Sequence, residues 1–70
     1  MLWYFVAPFV EEWNVLFEDQ PRPYIYDDQE AATAASHKAA KETLEKKGAP
    51  AGVKVKEGER WREDGVYGGE

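Results

Sequence analysis

Adjacent acidic residues are the groups in this 70-residue sequence whose types and spacing could do chemistry. The pairs Glu11-Glu12, Asp27-Asp28 and Glu63-Asp64 could supply catalytic carboxylates or ligands for a divalent cation. The first pair does not converge on one site if it lies in a strand, because neighbours in a strand point to opposite faces. The second pair precedes a predicted helix, where carboxylates cap backbone N–H groups and interact favourably with the helix dipole. No loop has calcium-ligand spacing, so we predict no metal site.

The single histidine is the other candidate for catalysis. We predict that His37 faces solvent on the polar side of the helix, beside Lys38 and Lys41. No Ser or Cys nucleophile comes with a motif that would pair with it, and no glycine-rich phosphate loop occurs. One histidine and no cysteine also argue against a structural zinc site. We therefore predict that the protein is not an enzyme and binds no cofactor.

These groups are positioned by a helix whose start and end can be read from the sequence. The helix is predicted over about residues 28–47, with Asp27 as N-cap and Glu30 completing a capping box. Gly48 can take the left-handed exit, and Pro50 prevents the helix from resuming. One helical face carries small residues, which would let the helix pack closely against a sheet; the alternative is a helix–helix dimer seam, although such seams prefer larger residues. This small-residue face consists of Ala31, Ala32, Ala35, Ser36, Ala39, Ala40 and Thr43.

Aromatic and β-branched residues before the helix predict strands. Residues 2–10 and 12–18 are two apolar runs that we expect to form a hairpin, and Pro8 suits an edge strand or the end of a strand. In the second run Trp13, Val15 and Phe17 alternate with the intervening residues, and this two-residue period is typical of a strand with one buried face. Prolines predict a turn over residues 18–23, and a short strand follows at Tyr24–Tyr26.

Alternating valines and lysines after the helix predict a further strand at residues 53–56, with the valines inward. Residues 57–59 form a predicted turn, residues 60–62 extend the pairing, and Asp64-Gly65 turns the chain again. The predicted fold is α+β: a small antiparallel sheet of three to five strands with one helix packed on one face. We expect residues 1–70 to form a single domain.

The order of several short motifs supports this arrangement. They are Trp13-x-Val15, Gln29-Glu30-Ala31 with Ala35 and Ala39, Val53-x-Val55, Asp64-Gly65 and Tyr67-Gly68. Over roughly residues 4–68 this order resembles a small bacterial and phage family of unknown function. The resemblance implies a β-β-α-β topology similar to that of double-stranded-RNA-binding domains, and a bacterial or phage accessory protein. It implies no catalytic residue.

Composition restricts the compartment and the partner. The apolar N-terminal run is shorter than the ~20 residues that span a bilayer, and it lacks a basic leader, so we predict a cytoplasmic protein without a membrane partner. The formal net charge is −5, and residues 1–30 carry seven acids against Arg22 alone. This acidic half disfavours indiscriminate binding to nucleic-acid backbones.

Protein–protein interaction is the favoured function, because one helix covers only one face of a sheet. The abundant aromatic residues cannot all point toward the helix, and exposed aromatic patches mark interfaces. The open aromatic face is therefore expected to bind another protein or a second copy of the chain. In a sharper version, the N-terminal acids steer the protein to a basic groove of a host protein and make it an inhibitor. The residues predicted to contact the partner are Trp3, Phe5, Glu11, Glu12, Trp13, Glu18, Asp19 and Trp61.

Nucleic-acid binding is the alternative function. Lys54, Lys56, Arg60 and Arg62 are interleaved with Trp61 in the C-terminal strands, and such a surface could bind a single strand by charge and stacking. The acidic N-terminal half argues against it. Alternating lysines on a strand are also ordinarily a solvated face that protects a sheet edge.

Overall fold

A computed structural model describes residues 1–18 and 23–68, in which one helix packs against a five-stranded sheet. This arrangement confirms the predicted α+β class. The predicted turn over residues 18–23 falls largely outside the described residues. In chain order the elements are β1 (Leu2–Phe9), β2 (Glu12–Phe17), β3 (Tyr24–Tyr26), α1 (Gln29–Lys47), β4 (Ala51–Glu57) and β5 (Arg60–Tyr67).

The strands lie in the order β3-β2-β1-β4-β5. The central pair, β1 and β4, is parallel, and the other three pairs are antiparallel. The sheet is therefore mixed and not wholly antiparallel as predicted, because α1 crosses over the sheet and returns the chain beside β1 in the same direction. Relative to the β-β-α-β order that the family resemblance implies, β3 and β5 are additional strands.

The predicted hairpin of the first two strands is confirmed. Phe9 pairs with Glu12 across a two-residue connection, in which Val10 takes a left-handed conformation with φ of 59°. The edge-strand interpretation of Pro8 is wrong, because β1 lies at the centre of the sheet. The other interpretation holds: β1 pairs with β4 from Leu2 to Val6, so the proline lies beyond that ladder and removes no N–H from it.

The helix ends largely as predicted, but its N-cap is one residue later. Asp28, not Asp27, is the cap: its Oδ1 accepts a hydrogen bond of 2.7 Å from the N–H of Ala31. Both aspartates are chemically able to cap, and the backbone conformation decides between them. Gly48 adopts the predicted left-handed conformation, and its N–H donates to the carbonyl of Leu44. Across residues 1–18 and 23–68, no helix is both long and apolar enough to cross a membrane.

The core lies between α1 and the sheet. The small-residue face of the helix is confirmed in its central part, where Ala32, Ser36, Ala40 and Thr43 are buried, whereas Ala31 is exposed. The buried hydroxyl of Ser36 donates to the carbonyl of Ala32 one turn earlier, so it needs no partner from the sheet. The sheet's side of the core consists of Tyr4, Val6, Val15, Phe17, Ala51, Val53 and Val55.

The predicted turn at Asp64-Gly65 is wrong, because β5 continues through both residues. Val53 pairs with Gly65 and Lys54 pairs with Glu63, which leaves Asp64 as an extra residue in a β-bulge. The bulge redirects the Asp64 side chain toward α1. The preceding turn, at residues 57–59, is confirmed.

Candidate functional site

The sheet surface that faces away from α1 carries a row of large apolar side chains. Tyr4 and Val6 of β1 point toward the helix, so Trp3, Phe5 and Phe9 between and beyond them point to the other side. Cross-strand neighbours continue the row, since residues that pair directly share a face. We call this surface the open face; its large apolar members are Trp3, Phe5, Phe9, Leu16, Ile25 and Trp61, and the smaller Ala7 and Val66 lie on the same side.

Four of the six large apolar side chains on the open face are well exposed. The exposed fraction is 63% for Phe9, 59% for Ile25, 44% for Trp61 and 38% for Leu16. Such a contiguous exposed patch differs from the single exposed apolar residues that are normal on a protein surface. The open face therefore has the composition of an interface.

The two remaining aromatic side chains are held in place by their neighbours. The ring of Trp3 lies directly over Gly52, where an added Cβ would be 2.5 Å from the ring. Phe5 packs edge-to-face against Trp61, with ring centroids 5.3 Å apart. This packing fixes the aromatic rings of β1 and β5 without covering them.

Two lysines of β4 border the open face. The Nζ atom of Lys54 lies 4.4 Å from the ring centroid of Trp3, and that of Lys56 lies 5.8 Å from a ring of Trp61. The two arginines of β5 do not join them. Arg60 pairs with Glu57 and Arg62 with Val55, so both lie on the helix side of the sheet. The predicted basic surface is therefore divided between the two faces.

Acidic residues border the open face on the β2 side. Glu12 pairs with Phe9, and the carboxylate of Glu18 accepts a hydrogen bond of 2.7 Å from the N–H of Trp3. Glu11 lies in the turn between β1 and β2, and Asp19 lies outside the described residues. Because β1 separates β2 from β4, acids flank one side of the aromatic row and lysines flank the other, where Glu63 of β5 pairs with Lys54.

Trp13 is not brought together with the other predicted partner contacts. It pairs with Pro8 and Tyr26, and its side chain packs against the core on the helix side. The alternation of Trp13 with Val15 and Phe17 already indicated this direction in the sequence.

A polar cluster between α1 and β5 was missed by sequence analysis. The prediction that His37 faces solvent is wrong: its Nε2 lies 2.5 Å from Oδ2 of Asp64, and its Nδ1 lies 2.8 Å from the hydroxyl of Tyr67. Gly65 makes this contact possible, because a Cβ there would be 2.6 Å from the imidazole. A helical wheel contains no information on a bulge in a strand distant in sequence, so no local signal indicated the cluster.

The cluster satisfies both nitrogens of the imidazole. The hydrogen bond from His37, followed by that from Arg62, lowers the pKa of Asp64 and favours the carboxylate. With Asp64 ionised, its carboxylate accepts a hydrogen bond from Nε2–H of His37, and Nδ1 shares a hydrogen bond with the Tyr67 hydroxyl. The cluster therefore acts as a structural tie between α1 and β5.

Acid is expected to weaken this tie. Because the folded-state pKa of Asp64 lies below its unfolded value of ~3.9, its contribution to stability is complete above that value and is lost as the pH falls through the folded pKa. The difference in free energy of unfolding between wild type and Asp64→Asn should therefore be largest near neutral pH and shrink below about pH 4. Urea unfolding at several pH values measures it.

The control for this pH dependence is Glu63→Gln, which removes one carboxylate from the exposed neighbouring position of β5. It should change the free energy of unfolding much less than Asp64→Asn at neutral pH. A wild-type advantage over Asp64→Asn that stays constant from neutral pH to pH 3 would contradict the assigned role of the carboxylate.

Comparison with known proteins adds no family to this geometry. The chain matches no protein family, no curated protein and no solved structure. The resemblance to a β-β-α-β family stays a prediction. Among the residues that the structure describes, no group of three or more His, Cys, Asp or Glu side chains could hold a metal ion.

Proposed function

We propose that this protein is a non-enzymatic interaction module whose open face binds a second copy of the chain. The observation that carries the proposal is the exposed apolar row of the open face, with two acids of β2 and its C-terminal end along one side and two lysines of β4 along the other. Burying an exposed Phe, Leu or Ile side chain contributes roughly 1.5–3 kcal/mol. A 70-residue domain has a thin core, so association through this face would add substantially to its stability.

Charge favours a second copy as the occupant. In a face-to-face dimer with its two-fold axis parallel to the strands, β2 of one copy lies over β4 of the other. Glu12 and Glu18 then approach Lys54 and Lys56 of the second copy, and the same contact occurs twice by symmetry. A two-fold axis across the strands would instead place lysines against lysines. Opposite charges thus select one of the two arrangements.

The test replaces apolar residues of the open face with lysines. Leu16→Lys combined with Ile25→Lys should convert a wild-type dimer to a monomer, because two charges would be buried without partners. Both side chains are exposed, so the fold should tolerate the change. Sedimentation equilibrium measures the molecular mass, and circular dichroism checks the fold. A wild-type chain that stays monomeric at the highest soluble concentration would refute the proposal.

The orientation is tested with complementary charge reversals. One chain carries Lys54→Glu and Lys56→Glu, and the other carries Glu12→Lys and Glu18→Lys. Each should dissociate alone, and the mixture should form a heterodimer, because the two sets of changes restore opposite charges. Lys38→Glu with Lys41→Glu, on the exposed side of α1, is the matched control and should leave the dimer unchanged. Failure of the mixture to associate would exclude this arrangement.

Two other occupants of the open face have some support. Trp3 and Trp61 with lysines above their rings could stack bases of a single-stranded nucleic acid, although acids share the surface. Saturable, salt-dependent binding of a labelled oligonucleotide by a monomeric wild-type chain would favour that function.

The other occupant is a host protein with a basic groove, which this module would inhibit. Slower association with that protein at low salt after charge reversal of Glu12 and Glu18 would favour this function.

A further inference from the structure

A concave surface lies on the helix side of the sheet, opposite the open face, between α1 and the β2–β3 edge. It encloses a cavity of about 310 Å³. Phe17, Tyr24 and Tyr26 line the sheet side, and Ala35 and Ala39 line the helix side. The space exists because the alanine side chains end at Cβ and do not reach the aromatic rings. We call this surface the groove.

We propose that the groove binds a small aromatic anion, a ring system that carries one acidic group. The cavity volume lies at the lower end of the ~300–1,000 Å³ of small-molecule sites, which suits one or two rings. Aromatic side chains along the sheet side favour a flat aromatic guest, because offset and edge-to-face ring contacts add to apolar burial.

The charge at the mouth of the groove determines the sign of the ligand. Lys46 and Lys47 line the cavity, with Glu42 as the one lining acid among the described residues, so the local charge is positive on a chain of net charge −5. Neither lysine forms an ion pair within residues 1–18 and 23–68. The Nζ atom of Lys47 lies 5.6 Å from the ring centroid of Phe17, which places a cation beside the aromatic surface.

Two hydroxyl groups lie close together among the groove's lining residues. The Thr43 hydroxyl lies 2.9 Å from the carbonyl oxygen of Ala39 and 2.8 Å from the Tyr4 hydroxyl, which lies 3.5 Å from the same carbonyl oxygen. A hydroxyl oxygen has two lone pairs, so this pair of hydroxyls keeps acceptor capacity whichever of the two donates to the other. A ring N–H or hydroxyl on the ligand would have an acceptor there, while its acidic group lies at the lysines.

The structural alternative is that the two lysines serve only the helix. Cations in the last turn interact favourably with the helix dipole, and their removal then affects stability alone. Ligand binding separates the two roles. The dipole role predicts a lower melting temperature with unchanged affinity, whereas the proposed role predicts a loss of affinity for an anion but not for its uncharged analogue.

The probes are 1-anilinonaphthalene-8-sulfonate and N-phenyl-1-naphthylamine, which share a ring system and differ in the sulfonate. The wild-type chain should bind both saturably, as measured by fluorescence. Lys46→Gln with Lys47→Gln should weaken sulfonate binding about tenfold and leave the uncharged probe unaffected, because a charge-assisted contact is lost. Lys38→Gln with Lys41→Gln is the matched control on the exposed side of the helix and should change neither affinity.

The location is tested by filling the cavity. Ala35→Leu should reduce the affinity for both probes, whereas Ala34→Leu, at an exposed neighbouring position, should not. Leu16→Lys with Ile25→Lys disrupts the open face and should leave probe binding intact, so this proposal and the dimer proposal fail separately. Probe binding that is lost in the open-face variant but retained in Ala35→Leu would overturn the groove as the site. Equal loss of both probes in the Lys46/Lys47 variant would overturn the anionic ligand.

Discussion

Replacing Phe17 with alanine is expected to remove a large part of the protein's free energy of unfolding. Phe17 is 4% exposed, and its ring stacks on that of Tyr4 with centroids 4.4 Å apart. Truncating a buried phenylalanine to alanine costs about 3–5 kcal/mol through lost burial and the remaining cavity. A 70-residue domain is stabilised by only roughly 3.5–10 kcal/mol in total, so the change removes much of that margin.

The neighbouring position on β2 provides the control. Leu16 precedes Phe17 in the strand but lies on the open face, so Leu16→Ala should cost less than about 1 kcal/mol when the chain is monomeric. Urea unfolding followed by circular dichroism at low protein concentration measures both free energies. Equal losses at the two positions would contradict the assigned faces of β2, because a shift of one residue in register exchanges them.

The parts of the fold that could be predicted from sequence are those with local signals. In β4, valines alternate with lysines, and this period alone indicates which side is buried. The helix end at Gly48 was also predictable, since a left-handed residue followed by proline ends a helix by local geometry.

Strand β1 carries no such signal. All residues from Leu2 to Phe9 are apolar, so alternation cannot identify the buried side. Pairing with β2 and β4 decides that Tyr4 and Val6 point toward the helix. Strand β2 follows β1 after a turn, and β4 is distant from β1 in sequence. For the same reason the aromatic residues predicted to contact a partner were not separated into the two faces of the sheet.

The contact of His37 with Asp64 illustrates a second limit. The dipeptide Asp64-Gly65 is typical of a turn, and the sequence contains no indication that it forms a bulge within a strand instead. The glycine serves close approach of the imidazole rather than chain reversal. A single extra residue in β5 therefore changed the environment of the one histidine from the predicted solvent to a hydrogen-bonded cluster.

Ala40→Leu, a substitution on the small-residue face of α1, is expected to destabilise the fold. Ala40 is fully buried where the helix packs on the central strands. Added methyl and methylene groups have no space there, so the helix must move away from the buried valines or distort its side chains. Overpacking of this kind typically costs about 1–3 kcal/mol.

Ala34→Leu places the same side chain on the exposed side of the same helix, and it should leave the free energy of unfolding nearly unchanged because alanine and leucine have similar helix propensities. Thermal and urea unfolding of the two variants measure the difference. If both positions tolerate leucine equally, the distance between α1 and the sheet is not set by the small residues. A loss at residue 40 alone would show that these residues hold the helix close to β1 and β4. The space over Phe17 and Tyr24 would then follow from the same alanine-rich face at the sheet edge, where the aromatic residues leave a groove.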